Sequence, residues 1–183
     1  DAARLLVVHG DGRLEDASIR DLPAYLSPQD VMVFNDTRVI PAALKGIRPA
    51  RDIHGSDVQV DVNLVNQVSG DTWRALARPG KRLKSEDRLV FPGNLSAMIL
   101  DKTQDGELGL RFSLSDAALD TAIDAVGAMP LPPYIARRRA ADQADRDTYQ
   151  TSFASENAKS VAAPTAGLHF TPRLLSELEA AGV

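Results

Sequence analysis

Val58-Gln59-Val60-Asp61-Val62-Asn63-Leu64 sets an apolar residue at every second position with polar residues between. A period of two marks a half-buried strand, one face toward a core and the other toward water. The same pattern continues outward. Ser69-Gly70-Asp71 reads as a turn and Thr72 to Ala77 as a second strand carrying Trp73, which belongs in a core. Arg88 to Phe91 and Ser96 to Asp101 are two further strands, parted by Pro92-Gly93-Asn94. Gln104-Asp105-Gly106 carries a hairpin signal, and Leu108, Leu110, Phe112 and Leu114 alternate after it. Short strands with close turns from about Gly46 to Ser113 predict a small barrel or sandwich.

The flanks read differently. Arg4 to Val8 and Arg13 to Ile19 form a strand pair around the turn His9-Gly10-Asp11-Gly12. A short segment from Leu22 to Leu26, broken by Pro23, leads to the apolar run Val31 to Phe34, read as a strand; Val39-Ile40 restarts after it. Beyond the β region, Ser115 is placed to N-cap a helix carrying Leu119, Ile123 and Val126 and ending at Gly127. Pro130 to Pro133 forbids regular structure, and Asp142 to Ala154 reads as helical. Thr171 then caps a helix with Pro172 at its first position, a Leu174, Leu175, Leu178 stripe and Gly182 as terminator. The expected fold is an α/β body with an inserted small all-β barrel domain. Residues 1–46 and 127–183 supply the α/β body, left incomplete, and residues 47–126 the barrel with its trailing helix.

Composition narrows the function classes. With 183 residues, 44% hydrophobic and 25% charged, the chain is neither disordered nor fibrous. No apolar run approaches the roughly 20 residues of a membrane span. The absence of cysteine removes disulfides, thiolate zinc sites and cysteine nucleophiles, and His9, His54 and His169 are too scattered for a local metal motif. A net charge of −4 makes the whole chain no magnet for nucleic acid. Starting at Asp1 in front of a strand and stopping at Val183 past a helix, it reads as a piece of something longer.

Two segments gather groups suited to chemistry. Phe34-Asn35-Asp36-Thr37-Arg38 puts an amide, a carboxylate, a hydroxyl and a guanidinium at the end of an apolar strand, where α/β proteins place their sites. The same residues also suit a solvated turn. In Ala163-Pro164-Thr165-Ala166-Gly167-Leu168-His169-Phe170-Thr171, small residues let backbone approach a ligand, and the start of the next helix offers N–H groups to an anion. His169 either moves a proton near neutral pH or packs in a capped loop. Between Arg74 and Arg88, six basic residues stand against two acidic ones, and Arg137-Arg138-Arg139 follows the prolines. These local patches suit either a phosphate backbone or plain solvent. Trp73, Tyr134 and Tyr149 are the large aromatics that could stack on bases, although Trp73 reads rather as core.

The motifs go further. Val33-Phe34-Asn35-Asp36-Thr37-Arg38-Val39-Ile40-Pro41-Ala42, Ala77-Arg78-Pro79-Gly80-Lys81-Arg82, Met129-Pro130-Leu131-Pro132-Pro133-Tyr134-Ile135 and Ala162 to Thr171 occur in one order, with Asp145-Arg146 and Tyr149-Gln150-Thr151 between. Together they resemble the S-adenosylmethionine:tRNA ribosyltransferase-isomerases of queuosine biosynthesis, over essentially the whole chain. The resemblance implies transfer of the ribosyl part of S-adenosylmethionine to 7-aminomethyl-7-deazaguanine at the tRNA wobble position. Isomerisation then gives epoxyqueuosine, and adenine and methionine are released. On the same resemblance S-adenosylmethionine is expected as the co-substrate, with no metal or membrane involved, and the protein is expected to be a cytoplasmic monomer.

The resemblance implies the enzyme and not the role of each residue; the demands of its reaction make Asp36 the candidate carboxylate beside the sulfonium and His169 the candidate proton-transfer group, the expected catalytic pair. Asn35, Thr37 and Arg38 with Pro164, Thr165, Ala166, Gly167 and Thr171 bind substrate; the methionine carboxylate suits either Arg38 or the helix start at Thr171. Arg78, Lys81 and Arg82 suit tRNA phosphates, joined by Arg137 and Tyr134. Family members run to nearly twice this length and carry a Leu-His-Val-Gly-Leu-Gly-Thr-Phe-like segment that residues 1–183 lack, so this stretch alone is expected to be inactive. Two alternatives remain: a non-catalytic RNA-binding module, and a relative acting on a different S-adenosyl substrate.

Overall fold

The structure, a computed structural model, describes residues 1–139 and 141–183. In chain order its strands are β1 (Arg4–Val8), β2 (Leu14–Ser18), β3 (Thr37–Val39), β4 (Ala43–Arg48), β5 (Val58–Ser69), β6 (Thr72–Arg78), β7 (Arg88–Val90), β8 (Ser96–Lys102), β9 (Glu107–Phe112) and β10 (Ser155–Ser160). Its α-helices are α1 (Asp116–Val126), α2 (Pro133–Ala136), α3 (Ala144–Thr148) and α4 (Pro172–Ala180), with 3-10 turns at Ile19–Tyr25, Gly80–Arg82 and Thr165–His169. Two compact units result: Val39–Arg146 with Ser160–Ala162, and Asp1–Arg38 with Asp147–Lys159 and Ala163–Val183. No described helix is long and apolar enough to cross a membrane.

The larger unit is a closed antiparallel barrel in the order β4-β5-β6-β9-β8-β7. Alternation builds it: Val58, Val60, Val62 and Leu64 point inward from β5, and Leu108, Leu110 and Phe112 from β9. Trp73 joins them in the core, as its position on β6 implied. Leu119 and Ile123 on α1 pack into the same core, and the Arg146 guanidinium donates to the Asp124 and Gly127 carbonyls at the end of that helix (2.7 and 3.1 Å). Those carbonyls lack intrahelical donors and carry the negative end of the helix dipole, so an arginine suits them. The barrel begins earlier than the sequence boundary at residue 47, because β4 starts at Ala43, whose N–H and C=O bond the backbone of Ala128.

In the smaller unit β1 and β2 form the expected hairpin, with Gly12 at φ 84° in its turn. Glu15 on β2 accepts the Tyr25 hydroxyl at 2.7 Å and faces the His9 imidazole at 2.9 Å; these bonds hold its carboxyl down at about 2. Two expectations are corrected. Val31 to Phe34 is not a strand: Val31 and Val33 are 86% and 91% exposed, and no described strand pairs with them, so the apolar run lacks the ladder that defines one. Asp142 to Ala154 is helical only over Ala144–Thr148. The chain straightens into β10, whose pairing with β3 supplies the hydrogen bonds a longer helix would have made. Ser155 N–H donates to the Asp36 carbonyl and Ile40 N–H to the Ser160 carbonyl, so the two segments advance together as a parallel pair.

Candidate active site

Three phenylalanine rings organise the smaller unit. Phe34 stacks on Phe153 with centroids 4.0 Å apart, and Phe170 meets Phe34 and Phe153 edge-on at 5.0 and 5.9 Å. Each such pair contributes about 1 kcal/mol beyond the area it buries. Their larger effect is to clasp three segments far apart in sequence. Phe34 leads into Asn35 and Asp36, Phe170 follows His169, and Phe153 stands ahead of β10. Ser152 adds a hydroxyl bond to the Phe170 carbonyl at 3.2 Å.

The polar residues sit on this frame. Asn35 Oδ1 accepts the Thr37 N–H at 2.9 Å and the Thr37 hydroxyl at 2.6 Å, so these two side chains fold the turn that presents Asp36 and Arg38. Asp36 and His169 are exposed, and no described residue hydrogen-bonds to either side chain. Pro164 caps the turn that carries Thr165, Ala166 and Gly167, and the Gly167 N–H donates to its carbonyl at 2.8 Å. A Cβ on Gly167 would lie 2.9 Å from the Thr151 methyl, so only glycine lets the turn approach this closely.

Thr171 caps α4 as its sequence implied, its hydroxyl accepting the Leu174 N–H at 3.3 Å. The same hydroxyl donates to Asp1 Oδ2 at 3.1 Å, and Arg173 ion-pairs with that oxygen at 2.7 Å. An anion therefore already stands at the start of α4, supplied by the chain itself.

The basic candidates lie in the larger unit. Arg78 ends β6, and Lys81 and Arg82 occupy the following turn; all three are exposed, and no described acidic side chain pairs with them. Lys102 Nζ and the Arg51 guanidinium hold that turn by donating to the Gly80 and Arg82 carbonyls at 2.7 and 2.8 Å. Arg74 is committed instead to Asp101 and to Glu107, the latter at 3.6 Å, and braces the barrel wall. Tyr134 is 68% exposed and Arg137 is exposed.

Their neighbour Arg139 is structural. It clamps the buried Asp145 carboxylate through two 2.6 Å bonds, and the Asp142 N–H adds a third at 2.8 Å. The Arg139 bonds first, and that N–H second, hold Asp145 down at about 2. A carboxylate with a depressed folded value stabilises the fold above its unfolded value and loses that contribution as pH falls. Urea unfolding should therefore show a loss of stability between about pH 4 and pH 2 that Asp145→Asn makes shallower. Parallel curves for the two proteins would refute the assignment.

Sequence reasoning missed Phe153 and Asp1, whose roles depend on tertiary packing. It also missed Arg48, for which a signal existed. The period of two along Leu44, Gly46 and Arg48 carries the arginine to the buried face of β4.

The profile of the family described as "Queuosine biosynthesis protein" matches residues 1–183. The chain belongs to this family. Its curated relatives include proteins of Hyphomonas neptunium and Maricaulis maris, 65% and 54% identical over all of this chain, each named S-adenosylmethionine:tRNA ribosyltransferase-isomerase. The chain spans about half the length of these queuosine-family relatives, 52% in both cases. A crystal structure of a Thermotoga maritima S-adenosylmethionine tRNA ribosyltransferase aligns with a TM-score of 0.41 at 28% identity, covering all of this chain and 48% of that one. Among the described residues, no group of three or more His, Asp or Glu is arranged to hold a metal ion.

Proposed function

We propose that the protein transfers the ribosyl moiety of S-adenosylmethionine to 7-aminomethyl-7-deazaguanine at the tRNA wobble position and isomerises it to epoxyqueuosine. Adenine and methionine leave, and the protein acts as a cytoplasmic monomer without a metal. The observation that carries this reading is the Phe34–Phe153–Phe170 clasp. It joins the Asp36 and His169 segments into one place in a chain of the queuosine family. The parallel β3–β10 pair, together with α4 of the smaller unit, supports reading that unit as part of an α/β body.

The chemistry sets the roles. S-adenosylmethionine brings a positive sulfonium, which the exposed Asp36 carboxylate attracts. A proton leaves the carbon beside that sulfonium and adenine departs more readily when protonated; His169 exchanges protons at these points. Asn35 and Thr37 hold the turn, and Pro164 to Gly167 bring backbone close to the substrate. Because Asp1 stands at Thr171, Arg38 is the better partner for the methionine carboxylate. Arg78, Lys81, Arg82 and Arg137 contact tRNA phosphates, and Tyr134 stacks on a base.

The test is incubation of the whole protein with S-adenosylmethionine and tRNA bearing the aminomethyl-deazaguanine base, followed by nucleoside mass analysis. Epoxyqueuosine is the expected product, and its absence overturns the proposal. The unpaired cations of the larger unit favour one other reading, a non-catalytic RNA-binding module. Calorimetry separates the two, since such a module gives no heat with S-adenosylmethionine.

A further inference from the structure

A cavity of about 570 Å³ opens on the barrel between the end of β4 and the turn that enters β7. Arg48, Arg51, Lys84 and Arg88 line it, with Glu86 and Asp87. Asp87 is engaged by Arg51, whose Nε and terminal nitrogen each reach the carboxylate at 2.7 Å, and by the Lys84 N–H at 2.8 Å, with the Arg48 charge also acting on it. These bonds, the Arg51 pair first, hold the Asp87 carboxyl below the usual carboxylate range. With Asp87 matched to Arg51, three cations remain against the single Glu86 carboxylate.

Arg48 is the unusual member. It is 7% exposed, one terminal nitrogen donates to the Pro49 carbonyl at 2.7 Å, and its buried Nε has no partner among the described residues. A buried charged donor without an acceptor carries its desolvation cost, and because Arg48 lines the cavity, an anion held there would offset the charge of its guanidinium. A guanidinium presents a planar fork of donors that matches phosphate oxygens. The cavity also adjoins the basic turn, since Arg51 binds both Asp87 and the Arg82 carbonyl. The turn that carries Lys81 and Arg82 is thus tied to a residue that lines the cavity.

We propose that this cavity is a phosphate-binding site in which Arg48, Lys84 and Arg88 hold one phosphate group, supplied by the backbone of an RNA ligand. The pocket follows from the barrel alone; only RNA as the source rests on the proposed function. Glu86 is the opposing charge and limits the affinity.

The test uses the whole protein, with NMR detection of the Arg48 Nε–H and two probes: inorganic phosphate and an anticodon stem-loop RNA. Movement of that resonance by the RNA at micromolar concentration supports the proposal in full. Movement by inorganic phosphate alone keeps the site and overturns RNA as its ligand. No movement with either probe overturns the site. Lys84→Gln/Arg88→Gln, both at exposed positions, should weaken RNA binding about tenfold and lower the salt slope by about one to two, while Glu86→Gln tightens binding severalfold. Unchanged affinity and slope in these variants overturn the proposal without disturbing the catalytic reading. Epoxyqueuosine formation, measured in parallel, tests that reading separately.

Discussion

Asp36→Asn in the whole protein is expected to lower turnover by about 100-fold or more while leaving thermal unfolding within ~0.5 kcal/mol of the parent. The substitution is chosen for what it preserves. The turn is folded by Asn35 and Thr37 and anchored by the Asp36 backbone carbonyl, which accepts from Ser155. None of those bonds uses the Asp36 carboxylate, so the amide changes charge and little else. His169→Ala should cost a comparable ~100-fold through loss of proton transfer, again with little effect on stability because the ring is exposed. If the two groups act on one bound substrate, the double variant falls well short of the product of the single losses. Full turnover in both single variants would remove Asp36 and His169 from the catalytic role.

The largest stability effect is expected at Gly127. A Cβ there would stand 1.9 Å from the Pro41 carbonyl oxygen and 2.7 Å from that of Ile123. Both obstacles are backbone, and neither is free to yield. The Gly127 N–H bonds the Ile123 carbonyl at 2.8 Å, and Ala43 and Ala128 exchange bonds of 3.1 and 2.8 Å beside Pro41. Backbone shifts of this kind cost about 3 kcal/mol or more, so Gly127→Ala should lower Tm by roughly 10 °C. Gly10→Ala is the control, since nothing lies within 4 Å of its Cβ position. Thermal unfolding of the two variants decides the matter; a Gly127→Ala protein as stable as the control would show that the α1 end is not held against Pro41.

These two predictions rest on different kinds of legibility. The barrel was readable because alternation is local: each of Val58, Val60, Val62 and Leu64 declares its face without reference to anything distant. Helix α4 was readable for a similar reason, its Thr171 cap, Pro172 and Gly182 lying within one short segment. β10 was not readable, because Ser155 and Ser160 gain their strand state from β3, far away in the chain. The reverse error at Val31 to Phe34 has the same origin, an apolar run being only half of what a strand needs. At the site, the chemical groups of Asn35 to Arg38 and of His169 stood out by type. That their segments meet at all depends on Phe34, Phe153 and Phe170, three ring positions that no local pattern distinguishes from ordinary core residues. Asp1 at the start of α4 belongs to the same class. So does Gly127, which the sequence marked as a helix stop and the structure shows to be a point of contact.

The barrel is closed unevenly. β4 meets β5 through six registered pairs but meets β7 through one, Ile47 with Val90. A cylinder opens first along its least stitched line, so amide exchange by local opening is expected to concentrate at this seam and to spare β5, β6 and β9. Arg48 and Arg88 flank that pair along the chain. An anion held between them would bridge the seam from one lip to the other, so that occupancy of the cavity and the mechanical stiffness of the barrel become one variable.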